Sequence, residues 1–179
     1  MSADNSPQTL SERMYFHEMT TWNSLSGQLQ LILAVLIVYL GFIWNLVEKL
    51  FFVTVSENNF SIILLIIWAL VGCGLIDLSK TLSSFWKAWH GYEYPVMITA
   101  NELHEHKNEI FKQYEEYSNQ QELTDKGFNK VLEEKFREYA SIAAKNNGYK
   151  MDHLYNCKLT LMPSIGLIAL SYVMLSIIL

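Results

Sequence analysis

Charge is missing from three long stretches of this chain. Twenty-nine residues lie between Glu18 and Glu48 with no Asp, Glu, Lys or Arg among them, 19 lie between Glu57 and Asp77, and the last 21 residues follow Lys158 with none. A helix at an aqueous surface keeps one face polar, so runs of this kind exclude ordinary surface helices. A bilayer core takes about 20 mostly apolar helical residues, and each run is long enough to cross it. The three runs have their apolar cores at 29–46, 60–76 and 159–179. Burying three such helices in a soluble protein would need a large polar shell, and the chain has only one polar stretch of any size.

Cysteine is nearly absent. Cys73 lies within the second run and Cys157 just before the third, so a disulfide framework is excluded as the basis of the fold. Glycine-rich phosphate loops, Cys/His zinc spacing and serine-hydrolase elbows are missing, and no complete catalytic motif nominates an enzyme. Internal repeats, low-complexity tracts and strand-like alternation are missing too. The first run lacks an Ala-x-Ala-like cleavage site and begins after a long N-terminal stretch, which argues against a signal peptide. There is no basic surplus: the 11 Lys and Arg from Lys80 to Lys158 face 12 Asp and Glu from Glu93 to Asp152, so no nucleic-acid surface is expected.

What remains is 51% hydrophobic and 17% charged over 179 residues. The expected fold class is all-α: an integral membrane protein with three transmembrane helices and a cytoplasmic helical hairpin, assembled as a symmetric homo-oligomer. Of 13 basic residues, 11 fall between Lys80 and Lys158. The positive-inside rule therefore puts that segment and the N-terminus in the cytoplasm, and the first loop and Leu179 outside. The expected organisation is a tail and interfacial helix over 1–28, a transmembrane hairpin over 29–77, a cytoplasmic helical region over 78–158 and a third span over 159–179. The expected location is a bacterial inner membrane.

After a flexible tail, Thr9 and Glu12 have the spacing of a capping box. Leu10, Met14, His17, Thr21 and Leu25 then form a helical stripe, read as a short helix on the membrane surface or as an upstream extension of the first span. Past the second span, "SSFWKAWHGYEYP" concentrates Trp86, Trp89, Tyr92 and Tyr94 around Lys87. Trp and Tyr favour the head-group layer and lysine snorkels toward phosphates, so this stretch reads as an interfacial elbow that turns near Gly91 and stops at Pro95. Leu103, Ile110, Tyr114 and Tyr117 mark one cytoplasmic helix. "NQQELTDKG" reads as a linker, and a second helix starts near Phe128 with Val131, Leu132, Phe136, Tyr139, Ile142 and Ala143 as its stripe. Gly148 reads as a break, a hinge or a tolerated residue, and Pro163 as a kink or a helix start. Two helices of this length bury little surface alone, so self-association is expected.

Candidate chemistry falls in three places. Glu102, His106 and Glu109 share a helical face at a spacing that can hold a divalent metal, although alternating charge is also what a solvated face looks like. Asn146, Asn147 and His153 precede the third span and suit either acid–base work or helix capping. Asp77, Thr160, Ser164 and Ser171 are polar positions on or beside the spans, suited to a pore lining or to helix packing. No cofactor is implied.

Two spans, a helical cytoplasmic segment and a third span give a layout that resembles the small membrane effectors of prokaryotic antiviral defence. "FWKAWHGYEYP" and "YASIAAKNNGYKMDH" are similar in arrangement to the SLATT-type membrane proteins. In size the chain also resembles the membrane accessory protein of type VI-B CRISPR loci, a family with a divergent HEPN motif that forms an oligomeric pore. HEPN ribonucleases place histidine after arginine with four to six residues between. Here Arg13 and His17 have three between them and Arg137 lies far from His153, so only "NNGYKMDH" could be a relic. The resemblance implies a homo-oligomeric pore that permeabilises or depolarises the membrane when triggered from the cytoplasm. The alternatives are a membrane-anchored adaptor recruiting a cytoplasmic defence protein and a membrane-tethered HEPN-like nuclease. The expected partners are further copies of the chain, the lipid bilayer and such a cytoplasmic protein.

Overall fold

The computed structural model describes residues 9–56, 62–90, 92–97 and 99–178. The N-terminal tail, the turn near Gly91 and the chain end at Leu179 lie outside the described residues. The protein is all-α: α1 spans Leu10–Ser56, α2 Ile62–Trp89, α3 Ala100–Gln113 and α4 Gln120–Ile178. Three of them, α1, α2 and α4, are long and apolar enough to cross a membrane.

Local chemistry explains where the helices begin. Thr9 caps α1, taking the Glu12 N–H on its Oγ1 at 3.3 Å and the Arg13 N–H on its carbonyl at 3.1 Å. Thr99 caps α3 with a complete capping box: its Oγ1 accepts the Glu102 N–H at 3.4 Å, and its own N–H donates to Glu102 Oε2 at 2.9 Å. At the start of α4 the Gln120 amide donates to the Phe111 carbonyl at 2.8 Å, tying the new helix to the last turn of α3.

The chain divides into two compact units, one of Met1–Ser24 with Tyr92–Gly148, the other of Leu25–Gly91 with Tyr149–Leu179. In the first unit α3 and the opening turns of α4 form an antiparallel hairpin. Lys107 Nζ meets Asp125 Oδ1 at 2.8 Å, and Gly127 faces Ile110, whose Cγ2 would stand 3.4 Å from an added Cβ. The start of α1 packs on this hairpin through Tyr15, which touches Phe136 and Tyr139 beside Ala140.

In the second unit α1 and α4 run parallel and α2 runs against both, the alternation three spans require. Tyr39 pairs with Ser164 and Lys49 with Tyr172 along α1 and α4, while Thr54 of α1 meets Trp68 of α2. The core is a seam of Leu29, Leu36, Leu46, Ile67, Val71 and Leu161. Only 28% of the most apolar window of each long helix is buried, and large side chains such as Trp44 and Ile62 stand 75% and 79% exposed. Such an exterior suits hydrocarbon, which covers apolar surface that water would not.

Several sequence expectations are corrected here. Of the two readings of the upstream segment, extension of the first span is the one found, because α1 continues unbroken to Ser56. Its packed face is Tyr15 and Met19 rather than Leu10 and Met14, which are exposed. "NQQELTDKG" is not a linker: from Gln120 it is helix, with Thr124 Oγ1 bonded back to the Gln120 carbonyl at 2.8 Å. Gly148 does not break α4 and Pro163 does not start a helix, since both lie inside it. On the α4 stripe Phe136 and Ala143 are buried as expected, whereas Ile142 is exposed.

Candidate functional site

The polar side chains of the second unit converge on one another. Ser164 Oγ donates to the Gly74 carbonyl at 2.7 Å, so the Tyr39 hydroxyl, also 2.7 Å from Ser164 Oγ, must be the donor of that second bond. Three helices are thereby joined at one buried hydroxyl. Gly74 makes the approach possible: a Cβ there would lie 3.1 Å from two carbons of Ile168. Nearer the Trp89 end of α2, the Thr81 and Thr160 hydroxyls lie 2.7 Å apart. Ser171 is buried and donates to the Leu167 carbonyl at 2.8 Å, and Asp77 is ion-paired with Lys80 at 2.9 Å. Thus Thr160, Ser164 and Ser171 bind helix to helix or to their own backbone. Among the described residues no buried side-chain nitrogen or oxygen lacks a hydrogen-bond partner.

In the first unit Asn147 is a clamp. Its amide nitrogen donates to the Glu18 carbonyl at 2.8 Å and to Glu18 Oε2 at 2.9 Å, and its Oδ1 accepts the Tyr94 hydroxyl at 2.8 Å. Asn146 donates to the Glu93 carbonyl at 2.8 Å. Burial, then the neighbouring Tyr92 and Glu18, pushes the Tyr94 hydroxyl up to about 12, so it remains a donor through the physiological range. Tyr94 is half-buried, and its ring lies 5.1 Å from that of Trp22 within the same unit. His153 belongs to the second unit, is half-buried and has no hydrogen-bond partner among the described residues. Asn146 and Asn147 thus hold backbone and side-chain groups together, and among the described residues no carboxylate is bonded to His153.

The Glu102, His106 and Glu109 face is engaged differently from a metal site. Glu102 is committed to the Thr99 cap, whose backbone and then side-chain hydrogen bonds hold its carboxyl below the ordinary range. His106 Nδ1 lies 3.4 Å from Glu109 Oε2. Among the described residues no three His, Cys, Asp or Glu side chains converge as ligands. Of the residues expected at a membrane interface, Trp86, Lys87 and Trp89 face outward from the last turns of α2, with Trp86 stacked on His90 at 3.9 Å.

Two polar contacts join residues far apart in sequence. Lys150 is buried in the second unit, with Nζ 3.4 Å from Ser26 Oγ, and burial pulls its pKa down. Lys49 donates to the Tyr172 hydroxyl at 2.9 Å, and that hydroxyl lies 3.3 Å from Asn45 Oδ1. No sequence signal could join residues 123 positions apart, whereas the Thr99–Glu102 spacing was a readable cap signature. No family model, curated protein or solved structure matches this chain.

Proposed function

We propose that this chain is a membrane-anchored adaptor: its three spans form a closed anchor, and its helical unit presents a surface to a cytoplasmic partner. The observation that carries the reading is the inward use of the spans' polar groups. Tyr39, Ser164 and Ser171 are bonded within one chain, and large apolar side chains such as Ile37, Leu65 and Val173 face outward. A ring of such subunits would have little to offer a file of water, and opening one would strand several buried hydroxyls at a cost of about 1–3 kcal/mol each. The partner-facing part is the first unit, where Met97, Leu123, Leu132 and Phe136 line a cleft of about 1340 Å³ rimmed by Lys126 and Glu133. The lysine and arginine bias supports a cytoplasmic side for this unit, and a bacterial inner membrane is the setting the resemblance implies. In the antiviral setting implied by the resemblance, the partner is a defence protein.

A homo-oligomeric pore is the second reading, favoured by one observation. Gly41, Gly72 and Gly166 lie where an added Cβ would meet nothing within 4 Å. Small residues on the outside of a span let a second copy approach closely. Reconstituting the full chain in dye-loaded liposomes separates the two. The adaptor retains dye and an imposed potassium potential at every protein density. Density-dependent release would establish the pore instead.

A further inference from the structure

Lys49 is the only Lys or Arg between Arg13 and Lys80. A lysine at the end of a span opposite the basic segment runs against the usual bias, so the groups around it bear on what it serves. Its ammonium donates to the Tyr172 hydroxyl at 2.9 Å and stands 5.2 Å from the centre of that ring. It forms no ion pair among the described residues, and two of its three hydrogens remain for another acceptor. Tyr172 in turn bonds Asn45 Oδ1 at 3.3 Å, which turns the Asn45 amide hydrogens away from that contact. Lysine and asparagine donors are thus held together by one tyrosine.

Two clefts share Asn45 as a wall. One, of about 350 Å³, is bounded by Val38, Gly41, Phe42 and Tyr172; the other, of about 370 Å³, by Glu48, Lys49, Phe52 and Val53. The first is an open groove along α1, with Val38 and Phe42 as its apolar lining and Asn45 and Tyr172 as its polar lining, and a Cβ on Gly41 would meet nothing within 4 Å. The second carries one cation and one anion side by side. A trough for a hydrocarbon chain, donors for a phosphate and a carboxylate beyond them match the order of groups along a single amphiphile.

We propose that these clefts bind phosphatidylethanolamine. One acyl chain lies in the Gly41 trough, the phosphate oxygens accept from Lys49 Nζ and the Asn45 amide, and the ethanolamine ammonium donates to Glu48. The Lys49 and Glu48 charges are matched by a zwitterion. An anionic phosphatidylglycerol head leaves Glu48 facing a hydroxyl, and the choline of phosphatidylcholine has no N–H to give it. The inference rests on the spans being membrane-embedded.

The test is native mass spectrometry of the full chain in mild detergent, titrated with phosphatidylethanolamine, phosphatidylglycerol or phosphatidylcholine of matched chains. The expected order puts phosphatidylethanolamine tightest, with Lys49→Ala weakening it about tenfold or more, as loss of a charge-assisted hydrogen bond does. Glu48→Gln abolishes its advantage over phosphatidylcholine, and Gly41→Leu, which places a bulky side chain in the groove, weakens all three lipids. Lys80→Ala leaves every affinity within twofold. Equal affinity of wild type for the three lipids, or undiminished binding by Lys49→Ala and Gly41→Leu, overturns the proposal. If Lys49→Ala fails to fold, Gly41→Leu and Glu48→Gln decide alone. A chain recovered from cells without detergent fails the membrane reading itself; one that needs detergent yet prefers no lipid fails only this inference.

Discussion

The Ser164 hydroxyl donates to the Gly74 carbonyl at 2.7 Å, which closes α4 onto α2 at the point where α2 has no side chain. Removing the hydroxyl with Ser164→Ala leaves Tyr39 without its acceptor. A loss of about 0.6–1.7 kcal/mol is expected, the range of interhelical hydrogen bonds in membranes. Unfolding in mixed micelles measures it, and an unchanged midpoint would show the bond to be idle.

Gly74→Val tests the same contact through shape. Its Cβ would lie 3.1 Å from Ile168 Cδ1 and Cγ1, tighter than packed carbons normally sit, with two more methyl groups to place. Overpacking of this kind costs about 1–3 kcal/mol. The matched change Gly72→Val faces open space and should cost far less, so equal effects at both sites would refute the packing.

Asn147→Ala removes the amide that joins Glu18 to Tyr94. A destabilisation of about 1–3 kcal/mol follows from leaving buried groups unpaired. His153→Ala, by contrast, should stay within about 0.5 kcal/mol and leave partner recruitment intact. Loss of biological function by His153→Ala in a protein that still folds would revive the nuclease alternative.

Asp125 accepts from Lys107 at 2.8 Å and from Gln121 at 3.2 Å, and these hydrogen bonds hold its carboxyl below the usual range. Because the folded pKa is the lower one, the pairing favours the fold above the unfolded carboxyl's value near 4 and is lost as pH falls through the folded value. Lys107→Met should bring the Asp125 titration, followed by carboxyl-resolved NMR, upward toward its ordinary range. A curve that does not move would mean the pair is not formed in solution.

Helix α3 is the element least anchored by burial, with Ile110 its single buried residue. Its Thr99 cap is therefore a large share of what holds it, and Thr99→Ala should cost about 1 kcal/mol. Amide exchange over Ala100–Gln113 should speed up while α4 stays protected. Uniform acceleration across both helices would show that α3 is not an independent opening unit.

The three long helices were legible because lack of charge over a bilayer's length is a strong signal, and Phe136 and Ala143 were found from periodicity alone. The start of α4 was not. Thr124, Asp125 and Gly127 are poor helix formers, and what makes them helical is tertiary: the Gln120 bond to Phe111 and the packing of Gly127 against Ile110. The N-terminal stripe was displaced by a residue because Leu10 and Met14 look as apolar as Tyr15 and Met19, and only the Phe136 surface distinguishes them. Asn146 and Asn147 suit acid–base chemistry or capping by sequence, but their partners Glu93 and Glu18 lie far off in the chain. The same separation hid the pairing of Tyr39 with Ser164 and of Lys49 with Tyr172.

Alkaline extraction of membranes from cells expressing the untagged chain bears most directly on the claim that lipid covers the outer faces of α1, α2 and α4. The chain should remain in the pellet after carbonate treatment and enter solution only with detergent. Release into the carbonate supernatant as a monodisperse, lipid-free particle would contradict the account.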